Sequence, residues 1–115
     1  MYRESILAEY RRVARGSLDD EFTHEAKASN PLCGDSLIVR FSIEDGIIKK
    51  GSFKSIGCVI STVSASRFLH ALRGKQVSDV KATSEETVVS AFEFPIQPAR
   101  VACALLVLEA IKKAL

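Results

Sequence analysis

The chain has 115 residues, 47% of them hydrophobic, three cysteines and a net charge of +2. That length fits one domain, residues 1–115, able to bury a core without disulfide staples. No apolar run approaches the ~20 residues of a membrane span, and no run of five like charges supplies the basic stripe of a nucleic-acid binder.

Residues 3 to 15 are expected to form a helix, because Ile6, Leu7, Tyr10, Val13 and Ala14 recur at helical spacing before a stop at Gly16. Charges scattered through this segment predict no secretory signal. Residues 17 to 30, SLDDEFTHEAKASN, are polar and acidic and read as a loop with His24 solvated. Asn30-Pro31 bends the chain and Gly34 is a hinge. From Ser36 the period becomes two: Leu37, Val39, Phe41 and Ile43 alternate with Ser36, Ile38, Arg40 and Ser42, a strand with one face on the core. Glu44-Asp45-Gly46 is a turn, and residues 47 to 56 are the returning strand of a hairpin, with Gly51 as a candidate bulge. Val59, Val63, Leu69 and Leu72 then trace a helical stripe that ends at Gly74. Ser61, Ser64, Ala65 and Ser66 allow that helix to pack closely. Ser84 is an N-cap for a short helix. Pro98 lies in the first turn of one final helix, with Lys112 and Lys113 near its negative end. Helix, hairpin, then helices give the α+β class, with helices on one face of a small antiparallel sheet.

The cysteines stand at element boundaries. Cys33 precedes the first strand, Cys58 follows Gly57 where the second strand yields to a helix, and Cys103 lies in the first turns of the final helix. An odd number of thiols, with no signal predicted, fits a reducing cytoplasm in which they stay available for metal or sulfur chemistry. Converging at one rim with Asp35 as fourth donor, they would suit tetrahedral zinc or an iron–sulfur cluster. Helix N-termini would favour the thiolates of Cys58 and Cys103. Arg100, three residues before Cys103, would add a positive charge on the same helical face. Core packing competes with this reading. Cysteine is often a small buried hydrophobe, and Cys103 shares a face with Leu106, Val107 and Ala110. Gaps of 25 and 45 residues carry no C-x-x-C signature, and Asp35 alone would suit a turn or cap.

The motifs NPLCGD before a hairpin, then GCVISTVSAS and RGK, then PARVACALLVLEAIKKAL, resemble the IscU/NifU N-terminal family of iron–sulfur cluster assembly proteins. The resemblance is clearest over residues 29 to 74 and 94 to 115. It implies an α+β fold with a three-stranded antiparallel sheet, helices on one side, and three cysteines at one exposed end. It implies that Cys33, Asp35, Cys58 and Cys103 hold a two-iron two-sulfur cluster or zinc. It also implies that one cysteine accepts sulfur from a cysteine desulfurase as a persulfide, Cys103 if the chain acts like IscU and Cys33 if it acts like SufU. Arg100 would then stabilise a thiolate or persulfide, and downstream apo-proteins would receive the cluster. The chain departs from IscU at Ala102, where that branch has histidine, and in FPIQPARVAC, which lacks the Leu-Pro-Pro-Val-Lys chaperone-recognition stretch. It lacks the insertion of the SufU branch, although GCVISTVSAS and PARVACA look more like that branch. The family's Asn-Pro-Arg stretch after the first helix is also missing.

Three readings follow: a scaffold for cluster assembly, a SufU-like zinc-dependent sulfurtransferase, and a degenerate member whose zinc only stabilises the fold. Other polar residues read as bland. His70 lies three helical turns, ~18 Å, beyond Cys58. The serines lack a matched histidine and acid. Lys49-Lys50 and Lys112-Lys113 read as solvated faces that would suit an acidic partner.

Overall fold

The strand pattern that begins at residue 35 organises the whole molecule. In the computed structural model, which describes residues 4–13, 16–31, 34–92 and 95–115, helix α1 (Glu4–Val13) leads into strands β1 (Gly16–Ser17), β2 (His24–Asn30), β3 (Asp35–Glu44) and β4 (Ile47–Ile56). Helices α2 (Val59–Leu72), α3 (Val77–Lys81), α4 (Glu85–Ser90), α5 (Pro98–Ala104) and α6 (Leu106–Ala114) follow. The antiparallel sheet has the order β1-β4-β3-β2. Its three long strands match the implied sheet, and the two-residue β1 adds a fourth at the β4 edge.

Alternation along β3 buries Leu37, Val39 and Phe41 beneath the helices. The β3–β4 hairpin turns through Asp45 and Gly46, both at positive φ (54° and 74°). Two left-handed residues in succession match the twist of the flanking strands. The register shift falls between Ser42 and Ile43, so Gly51 is not the bulge and pairs instead with Phe41. Its role is close approach: a Cβ there would stand 3.0 Å from Leu69 Cδ2 of α2.

Residues 24 to 30, expected as loop, form β2. Their inward positions, His24, Ala26 and Ala28, are not strong strand formers, and pairing with the β3 backbone outweighs that weak propensity. His24 is half-buried rather than solvated: its ring stacks on Phe41 with centroids 5.4 Å apart, and Nδ1 lies 2.8 Å from Thr23 Oγ1.

α2 and α6 cover the inner face of the sheet, joining Leu37, Val39, Phe41 and Ile48 to Leu69, Leu72, Leu106, Val107 and Ile111 in the main core. A smaller core of Ile6, Ile60, Val63, Phe92, Cys103 and Ala104 lies between α1, α2 and α5. Ser61 and Ser64 are buried in α2, and Ser64 Oγ donates to Ala104 O at 2.6 Å. Ser84 caps α4 by accepting from Thr87 N, and Gly74, at φ +84°, donates its N–H to Ile48 O just beyond α2. The expected single final helix is two helices, because the chain breaks at Leu105 (φ −90°, ψ −4°). Among the described residues no helix is long and apolar enough to cross a membrane.

Candidate metal centre

Strand pairing brings the first two donors together. Ser36 pairs with Ile56, so the start of β3 lies beside the end of β4. Gly57 and Cys58 then lead the chain into α2, with Cys58 as its N-cap residue. The Asp35 side chain lies across Gly57, where an added Cβ would stand 2.6 Å from Oδ1. Glycine at 57 therefore makes room for the carboxylate, a requirement that spacing rules did not reveal; the Gly-Cys pair at a strand end was the available signal.

Asp35 Oδ1 accepts the Cys58 N–H at 3.1 Å, and the Cys58 thiol donates to Oδ2 at 3.4 Å. The carboxylate thus bonds the amide at the head of α2, where the helix dipole favours negative charge. Cys58 makes no side-chain cap of its own, which leaves its sulfur to the site. Ser61 Oγ donates to the Cys58 carbonyl at 3.1 Å and stands 3.8 Å from the Cys58 sulfur.

Cys103 completes the described cluster. One ligand atom each from Asp35, Cys58 and Cys103 lies within 4.8 Å of the others. Donors bound at ~2.0–2.3 Å around a tetrahedral ion stand roughly 3.3–3.8 Å apart, so small side-chain shifts would close these three on one ion. The donor set is two sulfurs and one oxygen, which suits zinc or iron better than calcium or magnesium. A cation here would also offset repulsion among anionic donors in a poorly solvated place. Asp35 is 3% exposed and Cys103 0%, while Cys58 is half-buried.

Two details differ from the sequence reading. Cys103 does not project from a rim; it is fully enclosed. It also lies next to the last residue of the seven-residue α5, not in the first turns of a longer helix. Cys58 does sit at a helix N-terminus. Cys33, the remaining candidate donor, lies outside the described residues. Arg100 is half-buried in the first turn of α5, one helical turn before Cys103.

The other polar candidates are elsewhere. His70 is exposed near the far end of α2, and Lys49 and Lys50 are exposed on β4. Lys112 and Lys113 do more than face solvent: Lys112 Nζ donates to Thr83 O at 2.8 Å and Lys113 Nζ to Lys27 O at 3.4 Å.

The NifU-like N terminal domain family matches residues 1–115 of the chain. An iron-sulfur cluster assembly scaffold protein IscU from Thermotoga maritima is 33% identical over 133 residues, covering 100% of this chain and 92% of its own. The crystal structure assigned to the SUF-system cluster assembly scaffold FiSufU of Fervidobacterium islandicum AW-1 superposes with a TM-score of 0.82 at 19% identity, covering 98% of this chain and 95% of its own. The N-terminal part of a nitrogen-fixing NifU-like protein from Brucella abortus gives a TM-score of 0.78 at 18% identity, over 98% and 90% of the two chains. At those identities the two structures establish likeness of fold.

Proposed function

The chain belongs to the NifU-like N-terminal domain family, and from that premise we propose that it is an iron–sulfur cluster assembly scaffold. The observation that carries this reading is the convergence of Asp35, Cys58 and Cys103 from three separate elements onto one point. A core cysteine would have no need of a carboxylate and a second thiol at its side. Cys33, two residues before Asp35 in the chain, would supply the fourth donor.

In this proposal the two-iron two-sulfur cluster is cargo, built on the four donors and passed to apo-proteins. Its sulfur comes from a cysteine desulfurase as sulfane sulfur, which an external two-electron donor reduces to the sulfide of the cluster after transfer. The thiolate of Cys103 or Cys33 attacks the outer sulfur of the donor's persulfide, a new S–S bond forms, and the desulfurase cysteine departs as thiolate. Arg100 would stabilise the anionic sulfur. Asp35 would make the cargo exchangeable, because a carboxylate is a harder and weaker partner for iron–sulfur chemistry than a thiolate. Zinc would occupy the same donors when no cluster is present, and the cytoplasm would be the setting.

A second reading, a zinc-dependent sulfurtransferase, is favoured by Ala102 and the PARVACA sequence around Cys103, where a scaffold of the IscU branch would have a histidine. Anaerobic reconstitution with iron and sulfide separates the two. The scaffold gains visible cluster absorption that is lost in Cys33→Ser, Cys58→Ser and Cys103→Ser. Tight zinc binding with faster desulfurase turnover and no cluster absorption in the wild-type protein would favour the transferase.

A further inference from the structure

Cys103 must meet a partner's sulfur in one form of the proposed chemistry, yet it is 0% exposed. It is enclosed with Ile6, Ile60, Val63, Phe92 and Ala104. Ile60 and Val63 belong to α2, which packs against β4 and α6, and Ala104 belongs to α5, next to Cys103 itself. Ile6 belongs to α1, and Phe92 follows the end of α4. α1 has ten residues, of which Ile6 is the buried one, and it packs on α2. An isolated helix of that length is unstable in water, so α1 depends on its attachments.

One guanidinium holds both pieces. Arg67 of α2 grips the Glu9 carboxylate of α1 through Nε at 3.1 Å and Nη2 at 2.9 Å. Its Nη1 donates to Ala91 O at 3.1 Å, and its guanidinium carbon lies 5.4 Å from the centre of the Phe92 ring. The paired side chains are 23% and 15% exposed, and forked geometry with partial shielding makes such a pair stronger than an open surface pair.

We infer that the Glu9–Arg67 pair is a latch on access to Cys103. With the pair made, α1 and Phe92 cover the sulfur. With it released, α1 separates from α2 as a unit and Cys103 becomes reachable by a sulfur donor, while the β-sheet and α6 stay folded. Glu9 and Arg67 are thus positioning residues for the site. The inference rests on the reading that Cys103 reacts with a partner, but the latch can be read without any cluster or desulfurase.

The test is alkylation of the full chain by iodoacetamide in chelator, with each cysteine followed separately by mass spectrometry. Glu9→Gln is expected to raise the Cys103 rate about tenfold, the effect of roughly 1.4 kcal/mol on local opening, with Cys58 little changed and far-UV helicity close to wild type. An unchanged Cys103 rate in folded Glu9→Gln overturns the latch. Should that variant unfold, the wild-type protein decides: amide exchange of α1 must match the opening that exposes Cys103 and be faster than exchange in α6. Cys103 labelling that follows α6 instead would overturn the inference. Persulfide mapping after desulfurase treatment separately reports whether Cys103 is the acceptor.

Discussion

Gly57 and Asp35 share one small volume, and that sharing makes the residue scale testable. Gly57→Ala places a methyl group 2.6 Å from Asp35 Oδ1, so the carboxylate must leave its bond to the Cys58 amide. Zinc affinity, measured by competition with a chromophoric chelator, is expected to fall at least about tenfold, in the range seen when a metal ligand loses its orienting support. Unchanged affinity would mean that Asp35 is not a donor. The three cysteines were legible as candidates because each falls at an element boundary, whereas Asp35, a residue type ordinary in turns and caps, was legible only from its place beside Cys33 and from the family resemblance. What the sequence withheld was depth. From its neighbours Leu106, Val107 and Ala110 alone Cys103 reads as a core residue, and in the structure it is among the core residues and near Asp35 at once. The latch residues were illegible, since Glu9 and Arg67 are 58 positions apart and nothing local links them.

The break between α5 and α6 belongs to the scale of elements. Ser64 Oγ reaches across from α2 to the Ala104 carbonyl at the break, beside Cys103. Ser64→Ala leaves that buried carbonyl without this donor, at a cost of about 1–3 kcal/mol, read as a lower urea midpoint with unchanged slope. A variant as stable as wild type would show that the break is held by something else. Strand β3 was readable from its period because one face is strongly apolar, and α2 from the stripe Val63, Leu69 and Leu72, although its buried side also takes in Ser61, Thr62 and Ser64. β2 was not, because its inward residues are small and the β3 backbone decides its conformation. The Leu105 break was hidden as well: residues 98 to 115 have good helical periodicity throughout, and the interruption is tied to a tertiary hydrogen bond.

At the scale of the whole molecule, the proposed donors come from elements far apart in sequence. Asp35 opens β3, Cys58 begins α2 and Cys103 nearly ends α5. An ion bound to all of them favours the folded chain over the unfolded one by mass action, about 2.7 kcal/mol at a hundredfold excess over Kd. Chelation is therefore expected to lower the melting temperature, and added zinc to restore it. A melting temperature indifferent to zinc would place the bound ion outside the fold. The α+β architecture was legible as a whole because the order of elements leaves few ways to cover one sheet face.

The most direct measurement is zinc stoichiometry and coordination, by elemental analysis and X-ray absorption, in the wild-type protein and in Cys33→Ser, Asp35→Ala, Cys58→Ser and Cys103→Ser. One zinc per chain, bound by three sulfurs and one oxygen in the wild type and weakened by each substitution, is the predicted result. Wild-type protein that holds no zinc at saturating concentration, or holds it undisturbed when Asp35 and Cys103 are replaced, would contradict the existence of a single shared site.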